Sequence, residues 1–74
     1  MERVVFDFSE LRGRIVARFG TCKAFAEAAH VSRAQLSDRL GNKVRFAPDD
    51  ICLFSELLGI SSSEIGKYFF TPKV

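Results

Sequence analysis

The sequence predicts an all-α fold, a compact bundle of five short helices, on three observations. Apolar residues recur at intervals of three and four along most of the chain. Ser, Thr, Asp or Pro stands at the start of each such stretch, where a helix N-terminus needs a cap or a proline at its first turn, and glycine or proline closes most of them.

The first helix is expected over 8–19. Asp7 and Glu10 have capping-box spacing, Ser9 is an alternative cap, and Leu11, Ile15, Val16 and Phe19 form one apolar stripe ahead of Gly20. Arg12, Arg14 and Arg18 fall on the wet side. Gly13 inside this helix costs about 1 kcal/mol relative to alanine, which points to close packing or a neighbouring backbone. Thr21 caps a second helix over 22–29, rich in alanine, and Ser32 caps a third over 33–40, anchored by Leu36 and Leu40. Gly41, Asn42 and Lys43 end it, and Val44, Arg45 and Phe46 form a connector. The fourth helix opens on Pro48, has Asp49 and Asp50 at its positive end, and runs through Ile51, Leu53, Phe54, Leu57 and Leu58 to Gly59. Ser61 and Glu64 form a second capping-box pair that starts a fifth helix to about Lys67, and Pro72 closes the chain's last segment. Val4, Val5 and Phe6 read either as a hydrophobic staple for the first helix or as a strand-like arm. Tyr68, Phe69 and Phe70 divide between core and an apolar dimer contact.

With 74 residues, 47% hydrophobic and 27% charged, the chain has room for one domain over 1–74. A domain of this size buries about 60% of the surface its unfolded chain exposes, so a second copy would help. Its apolar stretches are far shorter than the ~20 residues a membrane span needs. The N-terminus lacks the apolar region and small-residue cleavage site of a secretory signal. Cys22 and Cys52 stand thirty positions apart with a single histidine, His30, which is no metal-ligand spacing; they read as reduced thiols in a cytoplasm. His30 has no positioned nucleophile or acid beside it and reads as a surface turn residue. No catalytic residue, metal or cofactor is expected.

The charge is divided. Residues 1–46 carry nine basic and five acidic side chains, a net +4, while residues 47–74 carry two basic and four acidic, a net −2. One face suited to a polyanion gives that polarity, and so does a merely solvated face.

Residues 21–43, TCKAFAEAAHVSRAQLSDRLGNK, have helix-turn-helix organisation. Phe25 and Ala26 face inward, Val31 plugs the turn, and Leu36 locks the two helices together. With Leu36 and Leu40 inward, steps of 100° place Ala34 and Asp38 outward and Gln35 and Ser37 beside them. Arg33, in the first turn, is suited to a bidentate contact with guanine and Gln35 to adenine, while Asp38 can accept from cytosine. Phosphate contacts are expected at the ends of the unit, from Thr21, Cys22 and Lys23 and from Arg39, Asn42, Lys43 and Arg45.

This segment, and nearly the whole stretch from FDFSEL to EIGKYFFTPKV, resembles the Cro/repressor type of helix-turn-helix domain, also called XRE-like, and within it small Cro-like regulators of phages and prophages of Gram-positive bacteria. The resemblance implies a five-helix, lambda-repressor-like DNA-binding domain that sits as a homodimer on operator DNA and controls a genetic switch. It assigns base recognition to Ser32, Arg33, Ala34 and Asp38 and backbone contacts to Thr21, Cys22, Asn42 and Lys43. Two positions depart from that pattern: His30 stands where glycine is usual, and Cys22 where a polar residue is usual. The expectation is a sequence-specific transcriptional regulator, bound to the nucleoid in the bacterial cytoplasm, that occludes a promoter without a small-molecule effector. Two alternatives use the same fold: an antitoxin-like partner of a toxin, and an antirepressor that works as a protein-interaction module.

Overall fold

Helix ends in this chain are set by local chemistry, and the computed structural model, which describes residues 4–73, shows each one. The elements are α1 (Ser9–Phe19), α2 (Cys22–Ala28), α3 (Arg33–Leu40), α4 (Pro48–Leu58), a 3-10 turn (Ser62–Glu64) and α5 (Ile65–Phe69). Met1, Glu2, Arg3 and Val74 lie outside the described residues, including Glu2 and Arg3 of the front-half charge count. The Thr21 hydroxyl accepts the Ala24 N–H at 3.1 Å, and Ser32 and Gln35 close a reciprocal capping box at 3.0 and 2.8 Å.

α1 differs from its expected start. Asp7 does not pair with Glu10; its Oδ1 accepts the Ser9 N–H and hydroxyl at 2.9 and 2.6 Å, and Phe8 occupies the N-cap. The last expected helix is split, because Glu64 accepts from both the N–H and the hydroxyl of Ser61 and tightens the first turn into 3-10 geometry before α5 begins.

Three helices end in Schellman motifs. At the end of α2 the His30 N–H reaches Glu27 O and the Val31 N–H reaches Ala26 O, with His30 left-handed at φ 58°. At the end of α3 the same bonds run from Asn42 to Arg39 O and from Lys43 to Asp38 O, with Asn42 at φ 65°. Gly59 (φ 67°) fills that position after α4. Histidine at a glycine-type position is therefore accommodated by adopting the left-handed backbone, in which His and Asn are enriched among non-glycine residues.

The core is aromatic. Leu11, Ile15, Phe25, Phe54 and Leu58 are fully buried, with Leu36, Phe69 and Tyr68 packed beside them. Phe54 stands edge-on to Phe25 (centroids 4.7 Å) and to Phe46 (5.4 Å), and Phe46 reaches Phe69 at 5.2 Å. Val16, expected in the buried stripe of α1, is 52% exposed, and on α4 Leu53 is 37% exposed, because each helix buries a narrower stripe than its apolar content suggests. No atom approaches within 4 Å of a methyl placed on Gly13, so neither close packing nor a passing backbone explains that glycine. A radius of gyration of 11.6 Å agrees with the roughly 11 Å of a folded chain this long.

Val4–Phe6 form an arm, not a staple. Phe6 makes an antiparallel bridge with Pro72, flanked by Asp7 N–H to Thr71 O (2.7 Å) and Lys73 N–H to Val5 O (2.8 Å). None of the helices among the described residues is long and apolar enough to cross a membrane.

The hydrogen bonds from Ser9 hold the Asp7 carboxyl below its ordinary value of 3.8, with Lys73 adding to the effect. Those from Ser61 hold Glu64 below its ordinary 4.5. A depressed folded-state pKa contributes stability that is complete above the unfolded value and lost as pH falls through the folded one. Thermal melts are therefore expected to show a decline beginning in the ordinary carboxylate range and continuing below it. The Asp7→Asn, Glu64→Gln double variant should show a shallower decline; an identical acid limb in both proteins would remove these two groups as its source.

Candidate functional site

The pair α2 and α3, joined by residues 29–32, presents its outer surface through α3. Phe25, Ala26, Leu36 and Leu40 point inward, and Ser32, Arg33, Ala34, Gln35 and Ser37 are exposed, with Asp38 half-buried. The side chains of this surface differ sharply in what they are free to do.

Ser32 and Gln35 hold each other in the capping box, so Gln35 Oε1 is already an acceptor for the Ser32 N–H. Thr21 Oγ1 is likewise occupied as the α2 cap. Arg39 is turned back onto the protein: its Nε meets Asp50 Oδ2 at 3.1 Å and its Nη1 donates to Gln35 O. That same Asp50 oxygen accepts the Ala47 N–H at 3.0 Å, so one carboxylate ties the end of α3 to the start of α4.

Asn42 and Arg45 are committed to the N-terminal arm. The Asn42 amide accepts the Phe6 N–H at 2.9 Å and donates to Phe6 O at 3.0 Å, imitating a β-ladder pair. Arg45 donates to Val4 O at 2.7 Å, and its guanidinium lies 5.1 Å from the Phe6 ring centroid. Four of the side chains expected to grip phosphate, Thr21, Arg39, Asn42 and Arg45, thus satisfy groups of the chain itself. The bonds of Asn42 and Arg45 escape sequence reasoning because they join residues 36 and 41 positions apart, and that of Arg39 because Asp50 lies across the connector to α4. Sequence reasoning also missed Arg14, whose Nε and Nη2 donate to Leu58 O and Gly59 O and cap the negative end of α4.

Lys23, Arg33 and Lys43, with Arg12 of α1, keep side chains that make no hydrogen bond or ion pair among the described residues. Arg12 and Arg33 line one furrow together with Cys22, Leu36, Ser37 and Leu40, where α1, α2 and α3 meet. Cys22 is half-buried there, and Cys52 is exposed on α4; both are free thiols. Among the described residues no group of three or more His, Cys, Asp or Glu side chains is placed to hold a metal ion. At the C-terminal end the three aromatics divide: Tyr68 and Phe69 are buried within the core, and Phe70 is 49% exposed.

Among the described residues, five helices, a capped pair that presents one outward face and an arm clamped across the C-terminal segment define a small all-α domain. The chain belongs to the family described as protein of unknown function (DUF739), whose profile matches residues 4–72. Among solved structures it is similar to the solution structure of the modulator of repression of the temperate bacteriophage TP901-1 from Lactococcus lactis, at 35% identity and a TM-score of 0.80 over 88% of each chain. No curated protein matches it. These findings correct the Cro/repressor (XRE-like) resemblance: the family is a different one, and the solved relative is a modulator of repression. The misreading has a physical source, since a capped two-helix unit around a buried leucine is a solution to packing and does not by itself specify DNA.

Proposed function

We propose that this protein is a modulator of repression in a phage or prophage, acting by contact with a repressor protein and not by occupying operator DNA. The observation that carries this reading is the likeness, over 88% of both chains, to a phage modulator of repression. The site supports it: Arg39, Asn42 and Arg45, which a DNA-gripping unit would aim at phosphates, are spent on Asp50 and on the arm. The function is regulatory and non-catalytic, an antirepressor type of protein interaction.

The test is to purify the chain with the repressor encoded beside its gene. A stoichiometric complex by size-exclusion chromatography with light scattering is expected, together with loss of the repressor's hold on its operator. No complex, alongside salt-dependent and sequence-selective binding of the chain itself to duplex DNA, would overturn it. That second behaviour is the other reading, and one observation favours it: α3 exposes Arg33, Ala34 and Ser37 from a well-capped N-terminus flanked by the free Lys23 and Lys43.

A further inference from the structure

We propose that the furrow between α1, α2 and α3 is a docking groove for an acidic segment of a partner protein, with an apolar side chain seated on Leu36 and Leu40 and carboxylates held by Arg12 and Arg33. The inference rests on the reading that the chain works through protein contact, and it names the surface and the chemistry of that contact.

The floor and the rim each point to this occupant. Leu36 and Leu40 belong to the core yet also line the furrow, and half-buried Cys22 continues the apolar surface between them and α1. Leu36 and Leu40 are themselves only 2% and 5% exposed, so most of the gain on docking is the apolar area that the partner's side chain removes from water. Of the six lining residues two are arginines and none is acidic, so the positive charge of the groove is unopposed.

The two arginines are also set apart from their neighbours. Arg14 and Arg45 are bound to backbone carbonyls and Arg39 to Asp50, whereas Arg12 and Arg33 keep their full set of donors for a partner. A guanidinium matches a carboxylate in fork geometry. Phosphate offers comparable geometry, but a duplex is read by an element that projects into a groove about 12 Å wide. It has no use for an apolar hollow. The furrow, about 240 Å³, falls just short of the roughly 300–1,000 Å³ of small-molecule sites, so it takes one or two side chains of a protein segment and not a whole small ligand.

The two cysteines provide the readout. In full-length Cys52→Ser protein, Cys22 is the sole thiol, and saturation with the repressor encoded beside the gene should slow its reaction with a maleimide about tenfold or more. In Cys22→Ser protein the rate at Cys52 should be unchanged by the same addition. Arg12→Glu and Arg33→Glu, both on exposed side chains, should each weaken the complex about tenfold or more, while Lys43→Glu leaves it nearly unaffected; circular dichroism confirms that each variant is folded. If the complex forms with Cys22 still fully reactive and both glutamate variants still binding, the groove inference falls and the modulator reading stands. If no complex forms, both fall. If duplex DNA and not the repressor protects Cys22, the occupant is nucleic acid and the proposal is overturned.

Discussion

Replacing Phe54 with alanine is expected to lower the melting temperature by roughly 12–40 °C and to leave much of the protein unfolded at 37 °C. Truncating a buried phenylalanine costs about 3–5 kcal/mol. A chain of this length has only about 4–11 kcal/mol to lose, and each kcal/mol moves the melting point of so small a domain by roughly 4–8 °C. The position is severe because Phe54 has no exposed surface and supports Phe25 and Phe46 edge-on from two sides. Collapse of neighbours into the space is opposed, since Phe46 is itself fixed against Phe8 and Phe69. Leu53→Ala, one residue away on the solvent side, provides the contrast and should shift the melt by only a few degrees. A Phe54→Ala melt within 5 °C of the parent would show that the aromatic cluster is not the centre of stability.

Phe54 was legible in the sequence, as were Leu11, Ile15, Leu36 and Leu58, because periodic burial is written in the spacing of apolar residues. Thr21, Ser32 and Pro48 mark helix starts through bonds or backbone angles that involve only the next three residues, and α3 was read with its observed ends. What sequence did not disclose lies in contacts between distant positions. Nothing local to Asn42 says that its amide meets Phe6, nothing local to Arg14 says that it caps α4, and Val16 looks as apolar as Ile15 until the path of the neighbouring helices is known.

The two functional readings turn on the same divide. Caps and buried leucines identify a two-helix unit, while the choice between operator and protein partner depends on which charged side chains remain unpaired after folding. Arg33 and Arg39 both read as DNA contacts in the sequence; the structure pairs Arg39 with Asp50 and leaves Arg33 open.

Asn42 allows that distinction to be measured. Asn42→Gly keeps the left-handed turn at φ 65° but removes both arm bonds, so it should cost about 1–3 kcal/mol. Asn42→Ala should cost about 1 kcal/mol more, because a Cβ disfavours that backbone. The loss should also be local first: the Asp7 and Lys73 amides, which bridge the arm to the C-terminal segment, should exchange with solvent faster than the amides of α4. A residue held ready for phosphate would behave oppositely. Its removal would leave stability and arm exchange unchanged and weaken only binding to a duplex, so wild-type exchange at Asp7 and Lys73 in Asn42→Gly would return Asn42 to the DNA-facing role that its sequence position suggests. Accelerated exchange with duplex affinity unaltered would place it among the groups that hold the arm, and leave the exposed arginines to meet the partner.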